Sequence, residues 1–262
     1  MGDGGVITGG MLNTIIHGVA TDLPPLFIAH GLYGSARNWG VIAKRLSDQR
    51  QVITLDLRNH GASPWNAVHR YPEMADDMGE TISGFDGKVD VLGHSMGGKA
   101  AMMLALRHPD LVRRLVVADI APVTYQHSQI EFITAMKAVD LARVERRSDA
   151  EAQLADLGVD RALQSFFTQS LDVPTKRWRL NLDVLAAEMP QIMSFPQVDA
   201  TWPGATLFLS GGASDYVGSK HRPLIRALFP KARFARLAGV GHWLHAEKPR
   251  EFEATVRVFL NA

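Results

Sequence analysis

Short apolar runs alternate with amphipathic segments along the first half of the chain. Apolar residues dominate 26–29, 51–57 and 115–118, and runs of this length and composition are typical of buried strands. Between these runs, apolar residues recur at helical spacing, as Met74 and Met78 do. Strands that are apolar on both faces and alternate with helices indicate a mostly parallel sheet with helices on both faces. The pattern therefore predicts the α/β fold class.

The strand signals stop between residues 123 and 198, where the apolar spacing is helical, and they resume at 205–210. We therefore predict an α/β core formed by residues 11–122 and 199–262. The segment 123–198 is predicted to be a helical cap inserted over the strand ends, and a separate small helical domain is the alternative. Residues 1–10 are rich in glycine, and we expect a leader or a disordered tail there.

Composition excludes several classes of protein. The net charge of +1 argues against electrostatic binding of nucleic acid. The chain has no cysteine, which excludes disulfides, thiolate metal sites and a cysteine nucleophile. No apolar run approaches the ~20 residues that cross a bilayer, and the first ten residues lack the pattern of a secretory signal. We expect a soluble, cytoplasmic protein without a membrane span.

A candidate nucleophile lies in the stretch 89–100. It contains Gly-x-Ser-x-Gly, with Gly93, Ser95 and Gly97 at the fixed positions, after a short apolar run and before a helical one. Strand, sharp turn and helix form the context in which this motif exposes a serine hydroxyl. The pentapeptide alone also fits an ordinary turn of small residues, so its meaning depends on the rest of the chain.

Ser95 is followed by candidate acids and then by a candidate base. Asp119 and Asp215 each come directly after a predicted strand, and His242 follows the last one. Loops at the carboxyl ends of parallel strands share one crevice, so these side chains are expected to face one another. A serine needs a base to take its proton and a carboxylate to orient that base. The order serine, acid, histidine is that of the α/β-hydrolase fold, and either aspartate can supply the acid.

Two backbone N–H groups are candidates for an oxyanion hole. One belongs to Met96, directly after the nucleophile at a helix N-terminus, and the other to Leu32 in the glycine-rich loop 30–34. The alternative is that the glycines of this loop form an ordinary turn.

Several motifs together resemble one known family. They are His-Gly-Leu-Tyr-Gly-Ser at 30–35, Leu-Asp-Leu-Arg-Asn-His-Gly at 55–61, Gly-His-Ser-Met-Gly-Gly-Lys-Ala at 93–100, Asp-Ile-Ala-Pro-Val at 119–123 and Gly-His-Trp-Leu-His-Ala-Glu-Lys-Pro at 241–249. The chain is similar to the small α/β-hydrolase esterases of the bacterial YbfF type and to their abhydrolase-domain relatives in mitochondria. The resemblance covers nearly the whole chain from Leu12 onward.

The resemblance implies a serine hydrolase that cleaves short-chain carboxylic esters through an acyl-enzyme, without a cofactor or a metal. It also implies that the acid is Asp119. The chain departs from the family at 211–217, where relatives tend to have Gly-Gly-Asn-Ser-Pro-Tyr-Val and this chain places Asp215. That carboxylate stands at the usual acid position of the fold, so Asp215 stays the alternative acid.

The predicted substrate is a small-molecule ester, and the cap is expected to shape the pocket for its acyl group. The candidate substrate-binding residues are apolar or aromatic side chains from the cap, together with one neighbour of Leu32 and one of His242: Tyr33, Phe132, Met136, Phe166, Phe167, Trp178 and Trp243. Each of these also fits an ordinary role in the core. Thioester hydrolysis, C–C bond hydrolysis and perhydrolysis on the same triad are rival reactions. A ligand receptor that retains the triad is a rival of another class, and the oligomeric state is left open.

Overall fold

The computed structural model describes residues 11–262, and the predicted leader or tail at 1–10 lies outside this range. Seven strands of the described range form one sheet in the order β1-β3-β2-β4-β5-β8-β9, in which only β1 runs antiparallel to its neighbour. The strands are β1 (Thr14–His17), β2 (Leu26–Ala29), β3 (Val52–Leu55), β4 (Val89–His94), β5 (Val112–Ala118), β6 (Leu171–Asp172), β7 (Arg177–Trp178), β8 (Ala205–Gly211) and β9 (Ala232–Leu237).

Helices cover both faces of this sheet, as the apolar strands predict. In β2, Phe27 packs in the cluster that contains Met74 of the second helix, while Ile28 packs in the cluster that contains Ile42 of the first and Val256 of the last. The helices are α1 (Gly40–Leu46), α2 (Tyr71–Ile82), α3 (Met96–Arg107), α4 (Ile130–Ala138), α5 (Arg147–Asp156), α6 (Arg161–Thr168), α7 (Leu182–Ala187), α8 (Met189–Met193), α9 (Arg222–Leu228), α10 (Leu244–Glu247) and α11 (Pro249–Asn261). The predicted α/β class and mostly parallel sheet are confirmed.

The strand order places the site. The chain leaves β2, adds β3 on one side and then returns to add β4 on the other side. Ala29 at the end of β2 therefore lies beside Gly93 near the end of β4. At such a switch point, the loops that follow the two strands diverge and leave a crevice. The loop 30–34 and Ser95 meet in that crevice.

Helices α4 to α8 lie between β5 and β8 in the chain, where the inserted cap is predicted. This segment also holds the hairpin β6–β7, which the sequence pattern does not predict because strands of two residues carry no readable periodicity. Next to the hairpin, the Gly61 N–H donates to the Arg179 carbonyl at 2.8 Å and the Asn181 N–H donates to the Asn59 carbonyl at 3.0 Å. These bonds tie the segment to the loop after β3. The bounds of the core and the cap stay a prediction.

Every helix that the structure describes, from residue 11 onward, is too short or too polar to cross a lipid bilayer.

Candidate active site

A tight turn between β4 and α3 presents Ser95. Its φ is 53°, a left-handed conformation that is uncommon for a residue with a side chain. The turn closes only because glycines flank it. A Cβ on Gly93 would lie 2.2 Å from the Gly97 carbonyl oxygen, and a Cβ on Gly97 would lie 2.4 Å from the His30 carbonyl oxygen. Both positions therefore exclude any larger residue, and the serine is held at the rim of the crevice.

The structure brings Ser95, His242 and Asp119 together. The Ser95 Oγ lies 3.0 Å from the His242 Nε2, and the His242 Nδ1 lies 2.8 Å from the Asp119 Oδ2. Because a carboxylate can only accept here, the imidazole carries its proton on Nδ1 and leaves Nε2 free to accept from the serine hydroxyl. The backbone carbonyl of His242 in turn accepts a 2.9 Å bond from the His94 Nε2. The arrangement can remove a proton from Ser95.

Asp119 is fully buried, and two further donors hold its carboxylate. The Gly211 N–H donates to Oδ1 at 3.0 Å, and the Ser214 hydroxyl donates to Oδ2 at 2.5 Å. Asp215, the alternative acid, is exposed and makes no hydrogen bond or ion pair with any other described residue. Ser214 therefore contacts the acid of the site, and Asp215 does not. Ser214 was not identified from the sequence, where the only signal for it is its place in the turn after β8.

The predicted oxyanion donors lie on either side of Ser95. Among residues 11–262, the N–H groups of Leu32 and Met96 donate to no other protein group, so both are available to a ligand. Met96 is the first residue of α3, where the helix leaves its early N–H groups unpaired. These two groups are where an oxyanion could be held.

Two buried histidines fix the loop that carries Leu32. The Leu57 N–H donates to the His30 Nε2 at 3.0 Å, and the Tyr33 N–H donates to the His60 Nε2 at 3.3 Å. Each ring accepts through Nε2 and so carries its proton on Nδ1. Burial lowers the pKa of both histidines, which keeps them neutral and able to accept. They set the backbone of the loop rather than taking part in proton transfer.

A cavity of about 250 Å³ opens beside Ser95 and is mainly apolar. Five of the seven predicted substrate-binding residues line it: Tyr33, Phe132, Phe166, Phe167 and Trp243. Met136 and Trp178 do not. They line a separate groove, and there the Trp178 Nε1 donates to the Met136 carbonyl at 3.0 Å. Apolar character predicted burial for these two residues, but it did not identify the cavity that they line.

Two further side chains at the site were not identified from the sequence. The Tyr216 ring stacks on the His242 imidazole, with ring centroids 4.1 Å apart. Lys99, one helical turn after Ser95, is buried, and burial lowers the pKa of its amine to about 7. A single lysine within the apolar run of α3 is a readable signal, whereas nothing in the sequence indicated the Tyr216 contact.

Within the part of the chain that the structure describes, no group of three or more His, Cys, Asp or Glu side chains is placed to hold a metal ion.

Known proteins are similar to this chain in sequence and in architecture. A mouse (Mus musculus) protein named sn-1-specific diacylglycerol lipase ABHD11 is 42% identical over 257 residues, covering 94% of this chain and 83% of that protein. Esterase YbfF of Escherichia coli is 38% identical over 243 residues, covering 90% of this chain and 93% of its own length. The solved structure of a marine microorganism esterase superposes with a TM-score of 0.89 at 37% identity, covering 95% of this chain and 99% of that one.

A sequence profile described as the α/β hydrolase fold matches residues 24–249, which span the strands and helices around Ser95 and His242. The chain belongs to the α/β hydrolase fold family.

Proposed function

We propose that the protein is a serine hydrolase that cleaves short-chain carboxylic esters through an acyl-enzyme. The observation that carries this proposal is the continuous hydrogen-bond chain from Ser95 through His242 to Asp119, with links of 3.0 and 2.8 Å. Relatives named as esterases and as a diacylglycerol lipase support ester hydrolysis as the reaction class. The core is formed by 11–122 and 199–262, and 123–198 forms the cap.

In the acylation step, the Nε2 of His242 takes the hydroxyl proton while the Oγ of Ser95 attacks the ester carbonyl carbon. The carbonyl oxygen becomes an anion and accepts hydrogen bonds from the N–H groups of Leu32 and Met96. One such donor contributes about 2.7–4 kcal/mol to lowering the barrier in enzymes of this type. The carbon–oxygen bond to the alcohol then breaks, and His242 gives the proton to the departing oxygen.

In the deacylation step, water takes the place of the alcohol. His242 removes a proton from the water, which attacks the acyl carbon, and the proton then returns to the Oγ of Ser95. Asp119 holds the imidazole in the tautomer that accepts at Nε2, and it stabilises the charge that the ring carries between the two transfers. Asp119 is itself positioned by Gly211 and Ser214.

The lining of the 250 Å³ cavity supports an uncharged substrate. Apart from histidines, its side chains are apolar, amide or hydroxyl groups, and no Lys, Arg, Asp or Glu of the described residues lines it. A charged group would lose its hydration there without gaining a partner. A neutral ester with an apolar portion therefore fits this cavity best.

The test is steady-state hydrolysis of p-nitrophenyl acetate, butyrate and octanoate by the wild type and by Ser95→Ala. We expect multiple turnovers by the wild type and a loss of at least about 10⁴-fold in kcat for Ser95→Ala, with an unchanged circular dichroism spectrum. An initial burst of p-nitrophenol equal to the enzyme concentration, with acylated Ser95 detected by mass spectrometry, is the expected sign of the acyl-enzyme.

A Ser95→Ala variant that hydrolyses all three esters at the wild-type rate would reject the serine mechanism. A folded wild type that releases only one equivalent of p-nitrophenol and then stops would favour the receptor over the hydrolase.

A further inference from the structure

Two cavities of very different size meet at Ser95. The large cavity is the one of about 250 Å³ described above, and the small cavity has about 20 Å³. Both are bordered by Leu32, Ser95, Gln129 and Tyr216. The nucleophile therefore lies between two spaces that differ more than tenfold in volume, and an ester bound there must direct one of its two halves into each.

His242 decides which half enters which cavity. After attack by Ser95, the departing alcohol oxygen must lie within hydrogen-bond reach of the Nε2 of His242, because that atom returns the proton. His242 lines the large cavity and not the small one, whereas Met96 lines the small cavity and not the large one. The alcohol half therefore lies in the large cavity, and the acyl substituent points past Met96 into the small cavity.

Lys99 lines the small cavity, and its side chain is held by several contacts. Its Nζ donates to the carbonyl oxygens of Met193 at 3.0 Å and Ser194 at 2.7 Å, and it lies 4.9 Å from the centroid of the Tyr125 ring and 5.6 Å from that of Tyr71. Only 1% of Lys99 is exposed. These contacts span from α3 to the end of α8, so the lysine cannot swing aside without losing both hydrogen bonds. The Lys99 side chain is therefore a fixed part of the wall of the small cavity.

We propose that Lys99 sets the upper limit on acyl length, so that the preferred substrates are acetate-sized esters of bulkier, apolar alcohols. This inference rests on the proposed role of Ser95 as the nucleophile. A water-sized group needs about 10–15 Å³ of cavity volume on this scale, so 20 Å³ accepts a methyl group and little more. Phe166 of the cap and Trp243, the neighbour of His242, then contact the alcohol half, whereas Phe166 is expected from the sequence to contact the acyl group.

The reaction balances with water as the only co-substrate. The bond from the acetyl carbon to Ser95 Oγ forms as the bond to the alcohol oxygen breaks, and the serine proton leaves with the alcohol through His242. Water then releases acetate and restores the serine hydroxyl.

The experiment compares two substrate series. One keeps the p-nitrophenyl leaving group and lengthens the acyl chain from acetate to butyrate and octanoate. The other keeps the acetyl group and enlarges the alcohol from ethyl to 2-phenylethyl, followed by acid release in a pH-stat. We expect kcat/KM of the wild type to fall at least about 10-fold from acetate to butyrate, since one methylene discriminates about 10- to 200-fold in a defined pocket. In the second series kcat/KM should rise with alcohol size.

Three variants assign this limit to a residue. Lys99→Ala should raise the butyrate-to-acetate ratio of kcat/KM at least about 10-fold, because it removes a fixed part of the wall and enlarges the small cavity. Lys99→Met keeps the length of the side chain without its charge, and it should keep the wild-type ratio. Phe166→Ala is the matched control in the large cavity. It should change the alcohol series and leave the acyl ratio within about twofold, because its ring lies away from the small cavity.

Each result separates this inference from the proposed function. If the hydrolysis depends on Ser95 but the wild type cleaves the octanoate ester as fast as the acetate ester or faster, the limit on acyl length is overturned and the serine mechanism stands. The comparison of acyl lengths itself uses the wild type alone. A shift of the acyl ratio by Phe166→Ala but not by Lys99→Ala would show that the acyl chain enters the large cavity. Absence of any turnover that depends on Ser95 would reject the proposed function itself.

Discussion

Replacing Asp119 with asparagine tests the assignment of the acid, because the surrounding donors dictate how the new amide must sit. The Gly211 N–H can only donate, so it selects the amide oxygen at the Oδ1 position. The amide NH₂ then occupies the Oδ2 position, 2.8 Å from the His242 Nδ1. An imidazole that accepts from this NH₂ must carry its own proton on Nε2, the atom that lies 3.0 Å from the Ser95 Oγ. His242 can then no longer accept the serine proton.

The expected loss in kcat is about 10⁴-fold, the size found when the same tautomer is imposed in another serine hydrolase. At about 1.36 kcal/mol per tenfold change, this is roughly 5.4 kcal/mol of barrier. The assay is steady-state hydrolysis of p-nitrophenyl acetate, corrected for the Ser95→Ala background. Asp215→Asn is the matched control, and its kcat should stay within about twofold of the wild type because a substitution on an exposed side chain without contacts rarely matters.

Asp119 does not set the tautomer of His242 if Asp119→Asn retains more than about a tenth of the wild-type kcat. The assignment of the acid also fails if the kcat of Asp215→Asn collapses, because the acid would then lie in the turn after β8. Thermal unfolding of both variants shows whether a lower kcat comes from a loss of folded protein or from a loss of catalysis.

Three further changes address the support of the site and the stability of the fold. Ser214→Ala removes the hydroxyl that donates to Asp119 at 2.5 Å, and kcat/KM should fall about 10- to 150-fold, as a bond to a charged group worth about 1.5–3 kcal/mol implies. An unchanged rate in the p-nitrophenyl acetate assay would remove Ser214 from the network. Gly97→Ala should lower the free energy of unfolding in urea by about 1–3 kcal/mol, because its Cβ would lie 2.4 Å from a backbone oxygen. Gly40→Ala is the control, because nothing lies within 4 Å of its added Cβ, and it should leave the free energy of unfolding unchanged or raise it. If Gly40→Ala and Gly97→Ala changed the free energy of unfolding equally, steric contact at Gly97 would not be the cause. Burial lowers the pKa of His69 from 6.5 to about 3, so below pH 6.5 the unfolded chain takes up a proton that the folded chain does not. The free energy of unfolding should therefore fall as the pH falls from about 6.5 to about 3, by up to roughly 1.4 kcal/mol per pH unit from this group. His69→Gln should reduce this pH dependence by the same amount. Urea titrations at pH 7, 6 and 5 would refute the prediction if the free energy of unfolding changed equally with pH in the wild type and in His69→Gln.

The fold could be predicted from the sequence because its signals are local. The central strands are mostly apolar on both faces, a pattern that a sheet covered by helices on both sides satisfies. The meeting of Ser95 and His242 follows from the same pattern, since both come after strands of one parallel sheet. The tight turn at Ser95 is equally local, because two flanking glycines are its physical requirement.

The rest of the site depends on contacts that no local pattern records. Asp119 and Asp215 both follow strands, and only the path of the turn after β8 brings Ser214 to Asp119 and leaves Asp215 exposed. Phe132 and Met136 are four residues apart on α4, yet Phe132 lines the cavity at Ser95 and Met136 lines a different groove. Periodicity predicts that such a side chain is covered, and the packing of distant helices decides what covers it.

Under the proposed mechanism, the order of the segments in the chain also sets when activity can arise during synthesis. Asp119 and His242 are separated by 123 residues, and Ser95 and His242 by 147. At about 5–20 residues per second, a ribosome needs roughly 6–25 s to add the chain between Asp119 and His242. During this interval the nascent chain already contains the proposed nucleophile, Ser95, but not the proposed base, His242. Under the proposed mechanism, the nascent chain therefore cannot form the acyl-enzyme before His242 has been added.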